Sequence, residues 1–156
     1  MEARLDTFAN PVATTFLKHL IAAGRSLGDS PLSPTVRELV EVRASQINGC
    51  GFCVDMHTKE AERAGETATR LHLVAVWREA TVFTDAERAA LDLAEHGTRT
   101  ADGAGVPDAV WAEAAKHFDE DALAALVGAV SVINAFNRLN VITRQPAGGY
   151  RPGMFG

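Results

Sequence analysis

A chain of 156 residues, 47% apolar and 22% charged, is long enough to bury a core of its own and too apolar for wholesale disorder. Its net charge of −5 is spread over interspersed acidic and basic residues, with no basic stripe of the kind a nucleic-acid partner requires. Alanine and leucine dominate while aromatics reach only 6%, which favours helix over sheet.

The opening MEARLDTFANP has no apolar segment of the signal-peptide type, and the longest apolar stretch, Leu123–Ile133, is short for a membrane span. A cytoplasmic protein without a membrane partner is the expectation. A first helix is expected after Pro11, with Phe16, Leu17, Leu20 and Ile21 on its apolar face and an end near Gly28. Asp29-Ser30-Pro31 reads as a turn. Ser33-Pro34 reads as a cap followed by proline at the first helical position, opening a second helix to about Ile47 with Val36, Leu39, Val40 and Ile47 inward. Asn48-Gly49 supplies a left-handed stop.

A third helix begins at or just before Cys50 and ends at Ala64-Gly65; a fourth covers about Ala68 to Trp77. Thr84-Asp85-Ala86-Glu87 forms a capping box that opens a fifth, to about Thr98. After a glycine-containing loop at Ala101–Val106, Pro107 starts a sixth helix ending near Phe118. Asp119, Glu120 and Asp121 suit the N-terminus of a last helix to about Ile142. The tail from about residue 144, QPAGGYRPGMFG, should be irregular or loosely attached. Together these elements predict an all-α fold, a compact single-domain bundle of six to seven helices.

The two cysteines, Cys50 and Cys53, are the only ones, and a bridge closing so short a loop adds little stability. In a reducing compartment such a pair points to redox chemistry or metal binding. At helical spacing Cys50, Cys53 and His57 fall on one face of the first two turns, where free backbone N–H groups and the helix dipole favour a thiolate. An attacking thiolate, a second thiol to resolve it and a nearby base are thus brought together. On the preceding helix Glu38, Glu41 and Ser45 share a polar stripe, which periodicity alone assigns to a solvated surface. Glu38 could also face the cysteine helix, because the Asn48-Gly49 turn can fold the two helices together. Zinc held by Cys50, Cys53, His57 and Glu38 stays open as an alternative, although no second cysteine pair supplies the usual other knuckle. The remaining histidines, His19, His72, His96 and His117, have no cysteine nearby and read as surface or packing residues; Trp77 and Phe52 read as core or pocket walls.

The run RELVEVRASQINGCGFCVDMHTKEAERAGE, Arg37 to Glu66, resembles the core signature of the carboxymuconolactone decarboxylase superfamily in its alkylhydroperoxidase AhpD-like branch. Glu38, the CxxC pair twelve residues later, and His57 fit it position by position. Trp77-Arg78-Glu79-Ala80, Phe83-Thr84, Glu87–Leu91 and Asn137-Arg138-Leu139-Asn140 extend the resemblance from about Thr35 to Val141. It implies an all-α peroxidase in homo-oligomers, often trimers or hexamers, with Cys53 peroxidatic, Cys50 resolving, and His57 and Glu38 as a proton relay. No cofactor or metal is implied, because the sulfurs carry the electrons. The implied partners are a hydroperoxide and a dithiol reductant, of lipoyl type or a thioredoxin-like protein. The family's decarboxylases generally lack the CxxC pair, which argues against lactone decarboxylation. The alternatives are a disulfide oxidoreductase or redox sensor without significant peroxide turnover, and a non-catalytic zinc-binding or assembly module.

Overall fold

The computed structural model describes residues 2–103 and 105–154. Parts of three sequence expectations, Met1 of the leader, Ala104 of the loop and the last two tail residues, lie outside that range. Among the described residues there are seven α-helices and no strand: α1 (Pro11–Arg25), α2 (Pro34–Ile47), α3 (Gly51–Arg63), α4 (Ala68–Leu73), α5 (Asp85–Thr98), α6 (Asp108–His117) and α7 (Glu120–Thr143). Local chemistry accounts for most of the boundaries. Asn10 caps α1 by accepting from the backbone N–H of Val12 and Ala13. Thr84 and Glu87 close the expected capping box of α5, and Asp119 caps α7.

The core is built on α2 and α7, which pack against each other; α2 also packs on α3 and α5. One cluster joins Val36, Val40, Leu93, Ala94 and Leu126. A second gathers Leu39, Val42, Val74, Trp77, Phe83 and Leu91. Burial of each large side chain in these clusters contributes about 1.5–3 kcal/mol. A third, smaller cluster consists of Ala44, Cys50, Cys53 and Ile133, flanked by Phe52 and Phe136. The cysteines therefore sit in the wall of the core.

Three expectations change. The fourth helix does not run on to Trp77: it tightens into a 3-10 turn at Val74–Val76, which lets Val74 and Trp77 both turn inward against Leu39 and Leu91. The apolar face of α1 is mostly uncovered: only Leu17 is buried, while Phe16 is 52% exposed, because α1 packs chiefly on α7. The tail forms no helix but is not loose. Asp55 on α3 accepts from the backbone N–H of Gly148 (2.8 Å) and Tyr150 (3.1 Å), Lys59 donates to the Tyr150 carbonyl (2.9 Å), and Glu60 accepts from the Tyr150 hydroxyl and the Gly153 N–H.

The apolar stretch noted from sequence lies inside α7. With 24 residues this helix is long and apolar enough by composition to cross a membrane, but half of its most apolar window is buried within the fold.

Candidate active site

The site is made where α2 turns into α3. Gly49 takes the left-handed conformation (φ 67°) that the Asn48-Gly49 pair predicts, and this reverses the chain so that α3 returns along α2. Cys50 is the N-cap of α3 rather than part of its first turn. Its Sγ accepts from the Cys53 backbone N–H at 3.4 Å, in the way a capping oxygen would. Both thiols are free, and both are almost fully buried.

This placement separates the two sulfurs electrostatically. The Cys53 thiol donates toward Cys50 and, together with the Cys53 backbone N–H, draws the Cys50 thiol down to about 7 against the opposing effect of burial. The same bond and its own burial hold the proton on Cys53, whose pKa is raised. When the reduced pair loses a proton, the negative charge therefore rests on Cys50. From α7, Asn140 donates its side-chain amide to Cys53 Sγ at 3.2 Å.

His57, two turns into α3, faces both carboxylates of α2. Its Nδ1 lies 2.9 Å from Glu38 Oε2 and 3.2 Å from Glu41 Oε2. Periodicity alone placed Glu38, Glu41 and Ser45 on a solvated face. Instead, α3 covers the carboxylates, and Ser45 is buried, accepting from the Asn137 side chain at 3.0 Å. Burial pushes the Glu41 carboxyl up to about 7; His57 opposes this rise and Glu38 adds to it. Burial alone would lower the His57 pKa, but Glu41 first and then Glu38 override it, so the imidazole is the more basic for its neighbours. With Nδ1 held by carboxylates, Nε2 is left to exchange protons.

The two sulfurs open onto different spaces. Cys53, His57, Glu38 and Glu41 line a cavity of about 440 Å³ whose walls are largely apolar: Phe8, Leu17, Ile21, Phe52, Met56 and Phe136. Cys50 instead lines a second cleft, behind Asn140, walled by Gly49, Arg144, Pro146 and Ala147. The single stripe expected from spacing is thus divided. Cys50 is a non-helical cap (φ −84°, ψ 90°), so the rotation of about 100° per residue does not carry back to it. Among the described residues, the cluster whose candidate metal-ligand atoms lie within 4.8 Å of one another is Glu38, Glu41 and His57; neither sulfur joins it, so the thiolate zinc set considered from sequence does not converge.

Asn140 was not among the site residues read from sequence, and the buried polar groups behind it were missed as well. Asn48 donates to Asn134 and Asn137, each at 2.9 Å, and Asn134 donates to Thr98 at 3.0 Å, tying α2, α5 and α7 together beside the cysteines. The available signal was three asparagines spaced along the most apolar helix, where a polar residue must find a partner.

Comparison with known proteins extends these observations. The model of the carboxymuconolactone decarboxylase family matches residues 12–96. The uncharacterized protein YdfG of Bacillus subtilis is 35% identical over 130 residues, covering 83% of this chain and 88% of that one. A solved structure from Agrobacterium tumefaciens, a protein of unknown function related to the antioxidant defence protein AhpD, superposes with a TM-score of 0.88 at 32% identity, over 96% of this chain and all of that one. The debrominase Bmp8 has the same fold at 17% identity (TM-score 0.77, 92% of this chain and 75% of that one). The chain belongs to the carboxymuconolactone decarboxylase family, in its alkylhydroperoxidase AhpD-like branch.

Proposed function

We propose that the protein is a thiol-dependent reductase of organic hydroperoxides. The observation that carries this reading is one cavity lined by a cysteine, an imidazole and two carboxylates, with apolar walls able to take an organic substrate. As Cys53 attacks the distal peroxide oxygen, its proton passes to the Cys50 thiolate. The O–O bond breaks, the alkoxide leaves as an alcohol with a proton from His57, and Cys53 becomes a sulfenic acid. Asn140 supports the developing negative charge on Cys53. Cys50 then attacks the Cys53 sulfur, the hydroxyl departs as water, and a disulfide forms. A dithiol reductant attacking from the Cys50 side restores both thiols and is itself oxidised to a disulfide. Glu41, whose carboxyl burial pushes up toward neutrality, resupplies His57. The same reading gives a cytoplasmic homo-oligomer, trimer or hexamer, which would cover the exposed Val12, Phe16 and Ile142 of α1 and α7.

The test is steady-state consumption of cumene hydroperoxide with dithiothreitol as reductant. Wild type turns over, Cys53→Ser does not, and Cys50→Ser accumulates a sulfenic acid that a dimedone-type trap captures once per chain. Two thiols that remain alkylatable after peroxide overturn the reading. A second reading, a disulfide oxidoreductase without peroxide turnover, is favoured by the acidic Cys50 with a cleft of its own. It predicts reduction of a small disulfide by wild type and by Cys53→Ser in a single exchange, with peroxide untouched.

A further inference from the structure

The apolar cavity has a cationic side that peroxide chemistry does not use. Arg37, one turn before Glu41 on α2, is half-buried in its wall, and Arg25, in the last turn of α1, stands exposed at its edge. Among the described residues neither guanidinium makes a side-chain hydrogen bond or an ion pair, whereas Arg43, Arg70, Arg78 and Arg88 are each engaged by carboxylates or carbonyls. Arginine holds its charge at any physiological pH, and its planar fork matches a carboxylate with two parallel hydrogen bonds. Both carboxylates of the cavity are set against His57, Glu38 at 2.9 Å and Glu41 at 3.2 Å; Glu41 feels the Arg37 charge through space but forms no ion pair with it. An uncharged hydroperoxide would leave both guanidiniums unmatched. A ligand with an apolar body and an anionic head would fill both parts of the space.

We infer that the substrates of this cavity are hydroperoxides of long-chain carboxylic acids, the chain lying against Phe8, Ile21, Met56 and Phe136 and the carboxylate held by Arg37 with Arg25. This rests on the peroxidase reading for the word hydroperoxide, but the binding site itself does not. The anchor selects the free acid over the same chain esterified in a lipid, where no carboxylate remains.

The experiment separates binding from turnover. Decanoate and 1-decanol, which carry no peroxide, are titrated into the wild-type protein and into Arg37→Gln and Arg37→Lys by calorimetry. Wild type should bind decanoate at least about tenfold more tightly than decanol, the scale of a hydrogen-bonded charge pair. That ratio should collapse in Arg37→Gln and be partly kept in Arg37→Lys. Equal affinities for acid and alcohol, or a ratio unchanged in Arg37→Gln, overturn the anchor. Turnover is then compared for a fatty-acid hydroperoxide and its methyl ester, with the acid preferred in kcat/KM by wild type and that preference reduced in Arg37→Gln. If decanoate binds as stated while no hydroperoxide is consumed, the peroxidase reading and the substrate named here fail and the carboxylate site stands. If hydroperoxides turn over with no preference for the acid, the anchor fails and the peroxidase reading stands.

Discussion

Glu95 and Glu41 are both glutamates drawn into the interior, and the structure treats them in opposite ways. Glu95 on α5 accepts from Arg43 at 2.5 and 2.6 Å, from the Trp77 indole at 3.0 Å and from the Arg78 guanidinium. Two cations and a neutral donor face one carboxylate. Burial would raise its pKa, but Arg78, Trp77 and Arg43 together hold it below the usual carboxylate range. At the thiol site the balance is reversed: two carboxylates share one imidazole, and burial leaves Glu41 near 7. A buried carboxylate with more donors than it needs is fixed in one charge state and serves as a brace. One with fewer can change charge near neutral pH, which is what a proton-handling site requires.

The two glutamates differ most in what they contribute to stability. Glu95→Gln leaves the half-buried Arg43 without its counter-charge, and truncating one member of a buried pair costs about 3 kcal/mol or more. Urea unfolding at pH 7 should show that loss, while peroxide turnover at a temperature where the variant is folded stays near wild type. A loss in turnover without a loss in stability would make Glu95 part of the site. The relay should behave in the opposite sense. His57→Phe is expected to slow peroxide reduction by about 10²-fold or more, the scale of a positioned acid–base group. Glu38→Gln should act in the same direction, and the double variant should be little worse than the worse single one, because members of one relay do not add. Stopped-flow rates of Cys53 oxidation report this, and losses that simply multiply would place Glu38 outside the relay.

The difference between the two carboxylate clusters also marks how far the sequence could be read. The reversal that brings Glu38 to His57 was visible in Asn48-Gly49, because a glycine in a left-handed turn leaves few other paths for the chain. Spacing also put Cys53 and His57 on one face, and they line one cavity. Spacing failed at Cys50, since a capping residue is outside the helix whose rotation it was assigned. It failed again for Phe16: an amphipathic face shows that burial is wanted, not that this chain supplies the partner. Asn140 lies 87 residues from Cys53, and no local pattern reports a contact of that range. Glu41 was visible as a neighbour on the stripe, but its raised pKa depends on how completely α3 covers it, a property of packing.

The pH dependence of stability separates Glu41 from Glu95 most directly. The folded-state pKa of Glu41 is about 7, against an ordinary value of 4.5. Between those two values the folded chain holds a proton that the unfolded chain has released, so stability must fall as pH rises through that window. His57 works in the same direction, because its pKa is raised on folding and its stabilising charge is lost as pH climbs past the folded value. Glu95 and Glu87, whose folded pKa values are lowered, contribute stability that disappears only as pH falls below the ordinary carboxylate value, outside this window. Cys50, lowered to about 7, adds stability only above it. Wild type should therefore lose about 2 kcal/mol between pH 4.5 and 7 from Glu41, less than its whole shift because the window stops at the two pKa values, where titration is incomplete; His57 adds to the loss only toward the top of the window. Glu41→Gln removes both the titrating carboxyl and the strongest of the charges that raise the His57 pKa, so its stability should be nearly flat over the same range and exceed wild type at pH 7. Glu95→Gln, although far less stable, should keep the wild-type slope. Chemical denaturation at half-unit steps of pH measures all three proteins, and parallel curves for wild type and Glu41→Gln would show that Glu41 is ionised on both sides of folding, a second brace like Glu95.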